Sequence, residues 1–172
     1  MFAPRCGAVR KDFFEKIGGY NETYRGADVE DFEFARRVNK VDCIILNTRM
    51  MVIHEFATFK QAARNYFKRA VMWVHLFLRE KKLDNAGPTA PGNGIAAICA
   101  FFSFMGLFFI PFIDMAKYIF ISLLIVFLLA NIKWWDFMRK EAGFLFAVRA
   151  LFLNYILGID IMIAAMYAVI SY

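Results

Sequence analysis

The sequence predicts an α+β front part followed by an α-helical membrane region. Charge is divided unevenly: residues 1–94 hold 16 basic and 11 acidic side chains, and residues 95–172 hold 5 and 4. The back part also carries 12 of the 21 phenylalanines and a 19-residue stretch, Ile95–Ile113, without one charge. The front part breaks into short amphipathic stretches and one β-branched run, separated by turn residues, which is the pattern of a mixed fold in water.

Composition narrows the class further. A chain of 172 residues that is 60% hydrophobic and 18% aromatic is neither disordered nor collagen-like. Cys6, Cys43 and Cys99 are far apart and lack histidines at ligand spacing, which argues against a zinc site or a disulfide framework and for a reducing compartment. Met1–Val9 is too short for a signal peptide before the charges begin.

The elements follow in order. Residues 10–17 place Phe13, Phe14 and Ile17 on one face of a short helix, which Gly18-Gly19 ends, since glycine enters the left-handed region at little steric cost. Residues 20–27 form a polar loop. A second helix starts at Asp28 as its cap, with Phe32, Ala35 and Val38 at helical spacing and Phe34 alongside. The run Val41–Ile53 is rich in β-branched residues and predicts one or two strands ending at His54. Residues 57–82 form a long basic amphipathic helix, apolar at Phe59, Ala63, Phe67, Ala70, Val74 and Phe77. Residues 83–94, with two Pro and three Gly, form a linker.

At about 1.5 Å per residue, Ile95–Ile113 spans roughly 29 Å, the thickness of a hydrocarbon core. Asp114–Lys117 then makes a tight hairpin. Tyr118–Ile132 is a second span, lengthened by Lys117 and by Lys133-Trp134-Trp135 at the interface. Residues 142–172 form either a third span or a helix lying in the interface. In the spanning case Asp160 falls near the bilayer centre and is paired, protonated or functional. Arg79, Lys81 and Lys82 before the first span, with Lys133, Arg139 and Lys140 after the second, place the front part on the cytoplasmic side of the cell (inner) membrane. The +6 net charge does not indicate nucleic acid, because the basic residues flank apolar stretches instead of covering an independent domain.

The stretch that carries chemistry is Ala8–Val38, followed by Val52–Phe56. In it stand Arg10, Phe14, Gly18-Gly19-Tyr20, Glu22, Glu30-Asp31, Arg36 or Arg37, and His54. In order and spacing this resembles the acceptor half of family 2 glycosyltransferases, inverting enzymes of GT-A fold. The resemblance implies that residues 1–56 are an α+β fragment of a GT-A glycosyltransferase domain. It implies a nucleotide-diphosphate sugar as donor and a membrane-associated acceptor, lipid-linked or glycan. Asp31 is then the base that takes the proton from the acceptor hydroxyl, with Glu30 positioning it or hydrogen-bonding the acceptor. Gly18 and Gly19 are first a backbone requirement and second shape the acceptor pocket, Tyr20 and Arg37 bind substrate, and His54 either touches acceptor, diphosphate or metal or is a hydrogen-bonded histidine that ends the strand. Mg²⁺ or Mn²⁺ is held mostly by the N-terminal half of the family, whose Asp-x-Asp does not occur here, so the chain reads as a fragment inactive by itself.

Gln61-Ala62-Ala63-Arg64 resembles the Gln-x-x-Arg-Trp signature of processive polysaccharide synthases, with Asn65 in place of tryptophan. That departure favours single-sugar transfer, with Gln61 and Arg64 on one helix face toward a phosphate. Two bland readings stand beside these. Asp28 and Asp31 match a capping box, and the lysines around Arg64 suit anionic headgroups. The competing function is a small basic multipass membrane protein that binds a partner or anionic lipid without catalysis.

Overall fold

The computed structural model describes residues 7–23, 29–47, 49–50, 52–53, 58–81 and 91–172. Among these it contains seven helices and no strand: α1 (Lys11–Ile17), α2 (Glu30–Val38), α3 (Phe59–Glu80), α4 (Pro91–Leu107), α5 (Asp114–Ala130), α6 (Ile132–Ala142) and α7 (Phe144–Ser171). The chain divides into two compact units at Thr58/Phe59.

The α+β expectation for a GT-A fragment is therefore corrected. The described residues between Val41 and Ile53 form turns and irregular backbone. Val41, Ile45, Leu46 and Ile53 are 65%, 84%, 86% and 104% exposed. β-Branched composition fits a residue for a pleated, half-buried surface. A strand forms only when a neighbouring strand takes its N–H and C=O groups, whereas the described bonds here are local, such as Met50 N–H to Asn47 O at 3.1 Å.

In the first unit, α1 ends where Gly18 adopts φ 89°, its N–H bonding Glu15 O at 3.0 Å, and Gly19 N–H bonds Phe14 O at 2.9 Å. α2 begins at Glu30 after Val29, which makes no side-chain cap. The expected cap, Asp28, lies outside the described residues. α2 buries Phe34, Ala35 and Val38, with Val29 fully enclosed before it, while Phe32 is only half-buried.

In the second unit α7 is the common neighbour: α3, α4 and α6 all pack on it, and α5 packs on α4. Small residues permit the closest approach. Ala97 and Ala100 of α4 lie against Gly158 of α7, where an added Cβ would meet Ala100 Cβ at 3.1 Å and Ala97 Cα at 3.4 Å. Ala96, Cys99, Ala100 and Phe127 form the buried cluster, with Leu123, Leu151, Tyr155 and Ile159 against it. Two polar links cross the apolar packing: the Ser103 and Tyr155 hydroxyls at 2.9 Å, and Asn154 Nδ2 donating to Asn131 Oδ1 at 2.8 Å. Asn131 also donates to Phe127 O at 2.8 Å, at the break where α5 and α6 bend by 61°. A side chain inserted into the helical ladder is a recognised cause of such a bend.

The expected borders shift. The first apolar helix begins at Pro91, inside the expected linker, and stops at Leu107. Residues 108–113 make the turn, and Asp114–Lys117, expected as a hairpin, is the first turn of α5, with the two charges 3.5 Å apart. α3 packs along α7; His75 Nε2 lies 3.1 Å from Ala168 O. Among the described residues α7 alone is long and apolar enough to cross a bilayer, and α5 with α6 qualifies only as a bent pair. α4 has 17 residues. In the most apolar stretch of α7 only 17% is buried, and Phe102, Ile119, Leu129 and Phe152 are more than half exposed. Asp160 Oδ2 is buried in α7 with no hydrogen-bond partner among the described residues.

Gly158→Leu should force α7 away from α4 and destabilise the second unit by about 1–3 kcal/mol. Gly106→Ala, whose new Cβ meets nothing nearer than 4.0 Å, should leave it unchanged or slightly raised. Thermal melts in detergent compare the two; equal melting temperatures would refute the packing at Gly158.

Candidate functional site

The first unit gathers six of the sequence-predicted site residues around the α1–α2 junction. Arg37 organises them. Its Nε and Nη2 donate to Glu33 Oε1 and Oε2 at 2.8 and 2.9 Å, its Nη1 donates to Ile17 O at 2.6 Å, and Nη2 also donates to Gly19 O. Glu33 sits one turn earlier on α2, the i, i+4 spacing at which side chains meet. The guanidinium thus ties the end of α1 to α2 and also lies 5.5 Å from the Phe34 ring centroid. Its planar fork suits two carbonyls and a carboxylate together, a task that a lysine point charge performs poorly. Arg37 is accordingly placed as a clamp on the Gly18-Gly19 turn.

That turn brings Tyr20 back onto α2. Phe14, Tyr20 and Phe34 form a three-ring cluster with centroids 5.0–5.3 Å apart in tilted and edge-on contacts, geometry that aromatic quadrupoles favour. Both glycines are backbone requirements. Gly18 and Gly19 have φ of 89° and 61°, and a Cβ on Gly19 would meet Phe14 Cε1 at 3.2 Å.

Glu30 and Asp31 open α2 and are half-buried. Asp31 Oδ1 accepts from Phe32 N–H at 2.9 Å. Burial pushes the Tyr20 phenol above its usual value, and the nearby charges of Asp31 and Glu30 push it the same way. Both carboxylates thus act on the phenol through their charge. At a helix N-terminus unpaired N–H groups favour negative charge, so the pair is electrostatically at home while part of its surface stays open. A half-open carboxylate beside a hydroxyl can accept a proton from a bound alcohol or hydrogen-bond a sugar.

The remaining candidates separate from this group. Arg10 is exposed and paired with Asp12 at 2.6 Å, its guanidinium holding that carboxyl below the usual carboxylate range. Glu22 is exposed. His54 lies outside the described residues. Gln61 and Arg64 are exposed in the first turns of α3, which belongs to the second unit. Among the described residues no group of three or more His, Cys, Asp and Glu side chains could hold a metal ion. These residues do not fit the Mg²⁺ or Mn²⁺ that the resemblance implies. Sequence reasoning missed the three-ring cluster and the Glu33–Arg37 pair. The i, i+4 spacing of the pair was a readable signal; the rings needed the turn to fold first.

Arg37→Lys should lower the protection of the Gly18 and Gly19 amides by about 1–3 kcal/mol, read by hydrogen exchange on the full chain. Wild-type protection in the variant would remove the clamp. A phenol with a raised folded value keeps its contribution to stability below its ordinary titration near 10 and loses it as pH climbs through the raised value. Asp31→Asn should therefore move the Tyr20 titration downward, followed by NMR of ¹³C-labelled tyrosine. An unmoved titration would mean that the carboxylate does not face the phenol.

Compared with family models, curated proteins and solved structures, the chain matches none of them.

Proposed function

We propose that this chain carries the acceptor side of an inverting glycosyl transfer at a membrane, with Asp31 as general base. The observation that supports it most is the partly exposed Glu30-Asp31 pair at the start of α2, whose charges act on Tyr20, within the ordered motif from Arg10 to Arg37. In the reaction an acceptor hydroxyl oxygen attacks the anomeric carbon in line. The new C–O bond forms as the bond to the nucleoside diphosphate breaks, and the hydroxyl proton passes to Asp31. Tyr20 and Glu30 orient the acceptor, and Arg37 acts by holding the turn that carries Tyr20. Donor and divalent-cation binding fall to a separate nucleotide-binding part, and no step here runs through a metal.

The membrane half of the proposal is supported by the exposure of the apolar helices. A core helix of a soluble protein hides its apolar face, whereas α7 shows most of its own to the outside. We read α7 as a span, and α4 with the bent α5–α6 pair as further membrane-embedded helices. Lys133, Arg139 and Lys140 on α6 support a cytoplasmic side for the front unit.

The competing reading, a helix cap in a non-catalytic membrane protein, draws on the Asp31 bond to Phe32 N–H. Asparagine caps a helix as well as aspartate does but cannot take up the proton, so one substitution separates the two. In membranes from cells expressing the chain from its own gene, Asp31→Asn should cut sugar transfer from nucleotide-diphosphate sugars to lipid-extractable acceptors by about 10²–10⁴-fold at unchanged expression. Retained transfer would take Asp31 out of the mechanism. The chain should also stay in the pellet after alkaline carbonate washing; release into the supernatant would overturn the membrane reading.

A further inference from the structure

At the opposite end of α2 from Glu30 and Asp31, α1 and α2 leave an open groove of about 280 Å³. It is lined by Phe13, Lys16, Ile17, Arg37, Lys40 and Val41. Three apolar side chains and three cations line it, and no carboxylate does. The Arg37 charge is engaged by Glu33. Lys16 and Lys40 are exposed and make no ion pair among the described residues. Val41 is 65% exposed beside them.

A ligand for such a groove must be anionic at one end and apolar at the other. A free phosphate or a polyglutamate peptide would satisfy the lysines and leave Phe13, Ile17 and Val41 wet. A phosphate carried on hydrocarbon satisfies both. The chain runs on from Thr58 directly into the unit whose helices we read as lying in lipid. A tether of that kind keeps the local concentration of phospholipid high and converts docking into an intramolecular event. We infer that the groove binds the phosphate of an anionic membrane phospholipid. Lys16 and Lys40 pair with the phosphate, and Phe13, Ile17 and Val41 cover the first carbons of the lipid. The front unit then has its own hold on the bilayer surface, separate from the carboxylate pair.

The inference rests on the membrane reading of residues 91–172, and the test keeps the two apart. The full chain carries Cys6→Ser and a fluorophore on Cys43, which is exposed, while Cys99 is buried. It is reconstituted into nanodiscs of phosphatidylcholine with increasing brominated phosphatidylglycerol, or with brominated phosphatidylcholine alone. Quenching should rise with the anionic lipid and stay low in the neutral discs. At about a fivefold contribution from each cation near an anionic surface, Lys16→Gln with Lys40→Gln should weaken the lipid dependence by roughly thirtyfold. Lys11→Gln, outside the groove, should leave it within about twofold. Equal quenching in neutral and anionic discs, an equal loss in Lys11→Gln, or displacement by millimolar inorganic phosphate or polyglutamate would overturn the lipid site. Failure of the chain to enter nanodiscs would instead overturn the membrane reading.

Discussion

The front unit depends on one guanidinium. Arg37 takes the carbonyls of Ile17 and Gly19 and both oxygens of Glu33 at once, so the end of α1, the Gly18-Gly19 turn and the body of α2 are held by a single planar group. Helix ends leave carbonyls without intrahelical partners, and a short helix such as α1 is marginal alone in water. The clamp answers both problems. Because the turn is fixed, Tyr20 returns to the Phe14–Phe34 pair, where its phenol feels the charges of Asp31 and Glu30. The proposed chemistry and the packing therefore share one support: disturbing the clamp disturbs the acceptor site without touching either carboxylate.

The second unit is built on a different economy. Its closest contacts involve Ala97, Ala100 and Gly158, residues that bring backbones together and bury little apolar surface. Many of its large side chains are exposed, although Phe127 and Leu76 are buried. In water that arrangement forfeits the hydrophobic effect; in lipid it is the expected one, because association there rests on close packing and on a few polar links. Ser103 with Tyr155 and Asn131 with Asn154 are links of that kind. The Asn131 link also coincides with the bend that turns α6, with its two tryptophans and three cations, out of the line of α5.

The helices were largely legible from sequence, and the reason is local. Spacing of Phe13, Phe14 and Ile17, the glycines after them, and the long basic periodicity of residues 57–82 encode helix and stop within a few residues. Borders in the apolar region were less legible: α4 starts at Pro91 and residues 108–113 turn, because a uniformly apolar stretch carries no periodic or capping signal for where a helix breaks. At the site, the Glu30-Asp31 pair could be named from its order in the motif. Arg37 was named as a substrate contact, and only the folded turn reveals which carbonyls it also reaches.

The sequence by itself determined that this is a helix-forming chain with a charged front and an apolar back, since both follow from residue type and near-neighbour spacing. It also placed two carboxylates at a helix start. Tertiary structure alone decided whether Val41–Ile53 would be sheet, because a strand exists only by virtue of a partner distant in the chain. It likewise decided that Gly158 meets Ala100 and that Tyr20 meets Phe34, contacts between residues whose separation along the sequence carries no periodic trace.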